Sequence, residues 1–178
     1  TGFSIQSVFF DIDNDNDLDV IITSRSNFNN TPNLLLNKDK LKLYINEENK
    51  FKMDTSFLKK SNGLGIMVSD INKDGFQDVY IANDFQIPDY YFVNYNGKLV
   101  ESFKRYFRKS SLNSMGVDIQ DFENDIDLDL MVLEMSYSDY YRSKTLMNFM
   151  KVDFFNESVN DLTYPTYSHN MLQLNSVN

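Results

Sequence analysis

Three times along this 178-residue chain a nine-residue window of acidic and amide side chains switches abruptly to a short apolar run. The polar windows are 11–19, 70–78 and 121–129, and the runs that follow are Val20-Ile-Ile-Thr23, Val79-Tyr-Ile-Ala82 and Leu130-Met-Val-Leu133. Runs this short, rich in β-branched and aromatic residues and bounded by turn formers, predict buried strands rather than helices. The segments leading into the windows, Ser7-Val-Phe-Phe10, Ile66-Met-Val-Ser69 and Val117-Asp-Ile-Gln120, are also strand-like. A further strand is expected in each unit, at Asn33-Leu-Leu-Leu-Asn37, at Tyr90-Tyr-Phe-Val-Asn94 and at Asn170-Met-Leu-Gln-Leu-Asn175. After the second of these, Asn96-Gly97 is a strong two-residue hairpin signal.

The windows start at residues 11, 70 and 121. That spacing lies slightly above the roughly 40 to 50 residues of a four-stranded propeller blade. The expected fold is all-β, a partial β-propeller of about three antiparallel blades, with repeat units near 1–58, 59–109 and 110–178. Extra chain after Leu133 marks an insertion over about 136–168, in which Asp139 to Met150 is compatible with a short helix and Pro165 precedes the return to strand. A fourth blade is expected to begin at Asn170, and a chain that starts at Thr1 reads as a fragment of a larger propeller.

Composition sharpens this picture. There is no Cys or Trp and one His, against 11 Tyr and 15 Phe, which favours strands as core builders. Of the 26 acids, five, three and five fall in the three windows, and outside them bases outnumber acids. The formal charge of -9 is therefore concentrated where a divalent cation could neutralise it. An acidic chain discourages nucleic acid, and no apolar stretch is long enough for a membrane span.

The windows have the chemistry of calcium loops. Calcium is a hard cation that takes six to eight oxygens at roughly 2.3 to 2.6 Å from carboxylates, amides and carbonyls. Acids at alternating positions of a tight loop, with a carbonyl at position 7 and an acid at position 9, supply such a shell. The candidate ligands are Asp11, Asp13, Asp15, Asp17 and Asp19 in the first loop, and Asp70, Asn72, Asp74, the Phe76 carbonyl and Asp78 in the second. In the third they are Asp121, Glu123, Asp125, Asp127 and Asp129. Position 6 calls for positive φ, which Gly75 accepts freely, Asn16 tolerates and β-branched Ile126 resists. With the longer Glu123 at position 3, the third loop is expected to bind weakly or not at all, leaving about two well-formed calcium sites. An EF-hand is excluded: position 12 is Ile22, Ile81 or Val132, in a strand, where that motif needs a Glu.

The pattern D-x-[DN]-x-D-G-x-x-D running into an apolar strand resembles the FG-GAP and VCBS repeats of integrin-α-like propellers. The segments Gly63-Leu-Gly-Ile-Met-Val-Ser-Asp70, Asp78-Val-Tyr-Ile-Ala-Asn-Asp-Phe85 and Ser114-Met-Gly-Val-Asp118 are similar to bacterial VCBS-repeat proteins, some of which carry a further ASPIC/UnbV domain absent from this chain. The resemblance implies a multi-bladed propeller with calcium in its loops, secreted, periplasmic or displayed on the cell surface, and serving adhesion or ligand binding. It implies an unknown protein or glycan ligand and further blades as partners.

Nothing in the sequence assembles a catalytic constellation. Cys is absent, His169 stands alone in a Tyr-rich strand entry, and no G-x-S-x-G, Walker loop or HExxH occurs. A non-catalytic module is expected; the alternative is an accessory propeller of a secreted carbohydrate-active enzyme whose chemistry lies elsewhere. The aromatic clusters Tyr90-Tyr-Phe92 and Tyr137 to Tyr141 read as strand core and insertion packing. The basic stretch Lys104-Arg-Tyr-Phe-Arg-Lys109 reads as a solvated loop.

Overall fold

The computed structural model describes residues 3–25, 40–84, 87–135, 139, 141 and 166–175. Three antiparallel sheets follow one another along the chain. Sheet 1 holds β1 (Phe3–Phe10), β2 (Asp19–Arg25), β3 (Lys40–Glu47) and β4 (Lys50–Met53) in sequence order, with the short β5 (Lys59–Lys60) on β3. In sheet 2, β6 (Gly63–Ser69), β7 (Asp78–Asn83), β8 (Tyr90–Tyr95) and β9 (Lys98–Glu101) repeat that order. Sheet 3 has β11 (Ser114–Gln120), β12 (Asp129–Glu134) and β14 (Met171–Gln173). Between sheets 2 and 3, α1 (Phe103–Tyr106) and β10 (Ser110–Ser111) intervene, β10 pairing in parallel with β13 (Thr166–Tyr167). This is the mostly β, up-and-down arrangement of propeller blades, and among the described residues no closed barrel is formed.

Each nine-residue window is the turn between the first two strands of its sheet. The first strands carry the same bulge, between Ser4 and Gln6, Gly63 and Gly65, and Ser114 and Gly116. A bulge at one register in all three sheets identifies them as copies of one unit.

The sheets stack face on face with a core between each neighbouring pair. Ile12, Ile21, Leu41 and Leu43 of sheet 1 meet Ile66, Val79, Ile81 and Phe92 of sheet 2. Tyr80, Tyr91 and Val93 of sheet 2 meet Ile119, Leu130, Val132 and Met171 of sheet 3, with Phe103 of α1 closing the layer. Every residue of β7 is buried, as expected for the middle sheet covered on both sides. Tyr91 and Phe92 confirm the aromatic strand core; the full burial of each contributes about 2 to 3 kcal/mol.

Three expectations change. The strand paired with β2 is β3, Lys40–Glu47, so the place assigned to Asn33–Asn37 is taken by a later segment. Asn33–Asn37 itself lies outside the described residues. Met171–Gln173 pairs with β12 and so completes the third sheet rather than opening a fourth. The start of the basic stretch is a helical turn, not a loop: Phe103 anchors it in the core, while Lys104 and Arg105 are exposed. The helix expected over Asp139 to Met150, and nearly all of the insertion, fall outside the described residues.

Candidate metal centre

The three loops share one hydrogen-bond pattern, written by the aspartates at positions 1 and 5. Asp11 accepts from the backbone N–H groups of Asp15 (3.1 Å) and Asn16 (3.0 Å). Asp70 does the same with Asp74 and Gly75, and Asp121 with Asp125 and Ile126. Position 5 then accepts from position 7: Asp15 from Asp17, Asp74 from Phe76, Asp125 from Asp127, each at 2.9 Å. Positions 4 and 6 have positive φ throughout: Asn14 and Asn16, Lys73 and Gly75, Asn124 and Ile126. Ile126 adopts φ 75° although it is β-branched, because the two hydrogen bonds that Asp121 accepts from Asp125 and Ile126 N–H fix the turn and the Ile126 side chain is 81% exposed.

The position 9 aspartates are buried, and both oxygens of each accept a hydrogen bond. Asp19 accepts from Ile12 N–H at 2.9 Å and Asn46 N–H at 2.8 Å. Asp129 accepts from Phe122 and Asn175 N–H. Asp78 accepts from Asn94 N–H and from the Tyr91 hydroxyl at 2.5 Å, and burial raises its pKa against the pull of those two donors. Position 9 thus ties each loop to the third strand of its sheet. Asn46, Asn94 and Asn175 hold equivalent places there, a signal hidden in the sequence by the misplaced third strand of the first unit.

The loops also reach one another. Asn14 donates to the Gly75 carbonyl at 3.2 Å, and Lys73 pairs with Asp127, so position 4 of one loop touches the next. Asn94 Nδ2 donates to the Ile12 carbonyl at 2.7 Å, and a Cβ on Gly97 would come within 2.9 Å of the Asp13 side chain. The hairpin expected at Asn96-Gly97 is present, with φ of 51° and 87°.

Oxygen density separates the loops. Among the described residues, Asp11, Asp13 and Asp15 form the group of three carboxylates whose oxygens lie within 4.8 Å of one another. Asp17 adds a buried Oδ1 with no hydrogen-bond partner. Asp13 and Asp17 both have raised pKa values, first from partial desolvation and then from the neighbouring carboxylates. A site of crowded anionic oxygens with one orphaned carboxylate oxygen fits a hard cation. In the second loop Asn72 stands where Asp13 stands in the first, its amide donating to Asp74 at 2.9 Å. In the third, Glu123 has a pKa raised by desolvation and by Asp125 and Asp129, and no three-carboxylate group converges.

Outside the loops, buried Asp89 accepts from Asn83 N–H (2.7 Å) and from the hydroxyls of Tyr80 and Ser114 (2.9 Å each), joining sheets 2 and 3. Burial pushes its pKa up to about 7. Glu134 is buried and accepts from the Leu112 and Asn113 backbones and the Ser111 hydroxyl. His169 is exposed beside Tyr167. No described helix is long and apolar enough to cross a membrane.

Residues 11–81, from the first acid of loop 1 to the strand after loop 2, match the family model of the FG-GAP-like repeat. Over that span the chain is similar to an FG-GAP-like repeat, and the third loop has the same backbone hydrogen-bond pattern beyond it. No curated protein matches the chain.

Proposed function

We propose that this propeller-type repeat module is stabilised by calcium and serves as a non-catalytic binding or adhesion unit outside the cytoplasm. The carrying observation is loop 1, where Asp11, Asp13 and Asp15 converge and Asp17 Oδ1 is buried without a partner. The pKa values of Asp13 and Asp17 are raised by desolvation first and by neighbouring carboxylates second, and a bound calcium would favour the charged form against both. Asp11 and Asp15 would hold the turn through the backbone N–H groups they accept from while their carboxylates also serve the ion, and Asp19 would anchor the loop to β3. Because the loops are hydrogen-bonded and ion-paired to one another, ordering one supports the next. Loops of modest affinity suit the millimolar calcium of extracellular settings. For a protein or glycan ligand, the cleft between sheets 2 and 3 offers Tyr106, Arg108 and Lys109 beside Lys73 and Gln173. The test is thermal unfolding with calcium and with chelator. Calcium should raise the melting temperature of the wild type, and Asp13→Ala should remove a substantial part of the rise; equal melting in both buffers would refute the calcium role.

A further inference from the structure

Loops 1 and 2 are bonded to each other at residues that lie between candidate ligands. Asn14, flanked by Asp13 and Asp15, donates to the carbonyl of Gly75, flanked by Asp74 and Phe76, at 3.2 Å. A second path runs through Asn94 of β8, which is fully buried. Its backbone N–H donates to Asp78 at 2.9 Å. Its side-chain amide donates to the Gln77 carbonyl at 3.1 Å and to the Ile12 carbonyl at 2.7 Å. Its Oδ1 accepts from Gly97 N–H at 2.9 Å, and Gly97 leaves no room for a Cβ beside the Asp13 side chain. One residue thus fixes the last two positions of loop 2 and the stretch between Asp11 and Asp13 of loop 1.

Charge is not what joins the loops. The pKa of Asp13 is raised first by desolvation and then by Asp15, Asp19 and Asp11. That of Asp78 is raised first by burial, with Asp74 and Asp70 adding to it against the donors Tyr91 and Asn94. The carboxylates that act on each belong to its own loop, and salt screens what passes between exposed charges of different loops. Coupling therefore runs through the bonded contacts, and its sign is positive. The first ion to bind holds the shared bonds in place, so the second faces less loss of conformational entropy in ordering its own loop.

We infer that loops 1 and 2 bind calcium as a cooperative pair, with Asn94 and Asn14 as the positioning residues that link them. The inference rests on the calcium reading of the loops and adds a threshold to it. The module passes from empty to doubly loaded over a narrower range of calcium than two independent loops would.

The test is calorimetric titration of the metal-stripped full chain at about 0.15 M ionic strength, where repulsion between loops is screened. Asp13→Ala and Asp70→Ala each leave one working loop and report its affinity alone. In the wild type, the product of the two binding constants should exceed the product of those single-loop constants at least about fivefold. Asn14 is exposed and outside the ligand set, and Asn14→Gly keeps its positive φ of 60°. Asn14→Gly and Asn94→Ala, each carried through the same cycle, should lower that ratio while two ions still bind. Asn14→Gly decides alone if Asn94→Ala fails to fold. A part in fold stability only would lower the melting temperature and leave the ratio where it was. Two ions with a ratio near one would overturn the inference and leave the calcium reading standing. A ratio that neither asparagine substitution moves would overturn the assignment to these residues. No heat of binding at millimolar calcium would remove both readings together.

Discussion

Replacing Ile126 by Asn should make the protein more stable. Ile126 sits at φ 75° and is 81% exposed, so its side chain contributes strain without burial. A β-branched residue in the left-handed region costs about 1 to 2 kcal/mol relative to one that tolerates it. Asn adopts that region readily and stands at the same position of loop 1, at φ 72°. The backbone hydrogen bond from Ile126 N–H to Asp121 is available to either residue. Ile126→Asn should therefore gain about 1 kcal/mol, or about 2 to 4 °C in melting temperature for a chain of this size. The measurement is thermal or urea unfolding in chelator, so that metal affinity does not enter. The control is Gly75→Ala, at φ 90° with nothing within 4 Å of an added Cβ, which should lose about 1 kcal/mol for conformational reasons alone. No gain for Ile126→Asn alongside the expected loss for Gly75→Ala would refute the claim that loop 3 is held against its own sequence.

Two other outcomes follow from buried polar groups. Asp89 has a folded pKa of about 7, above its unfolded value of 3.8, so the folded state holds the extra proton between those values and this group's contribution to stability falls as pH rises through 7. Relative to Asp89→Asn, the wild type should gain about 2 kcal/mol in urea unfolding between pH 7.5 and 5.5, and a flat difference would refute the assignment. Asn94→Ala removes the side-chain bonds to the Ile12 and Gln77 carbonyls and should cost about 2 kcal/mol; a loss below 0.5 would show that sheet 2 does not hold loop 1 through this residue.

The loops and the strands flanking them were legible because their signals are local: alternating acids set the turn, and an apolar run follows each. The same locality misplaced the third strand of sheet 1. Leu34-Leu-Leu36 is the most apolar segment there, yet β3 is built from Lys40-Leu-Lys-Leu43, whose alternation buries Leu41 and Leu43 and leaves Lys40 exposed. That alternation is the pattern of an end sheet with one open face. The double role of position 9 was hidden because spacing alone does not distinguish an acid that faces a cation from one that accepts N–H groups of a strand 16 to 46 residues away, as Asp78 and Asp129 do. Asp89 follows Pro88 and belongs to none of the acidic windows. Only the fold brings Tyr80 and Ser114 to it.

The central claim is that the acidic loops hold calcium, and a calorimetric calcium titration of the metal-stripped chain tests it most directly. The account predicts about two ions per chain, with Asp13→Ala and Asp70→Ala each removing one and loop 3 variants removing none. No heat of binding at millimolar calcium would contradict it and reduce the loops to acidic turns.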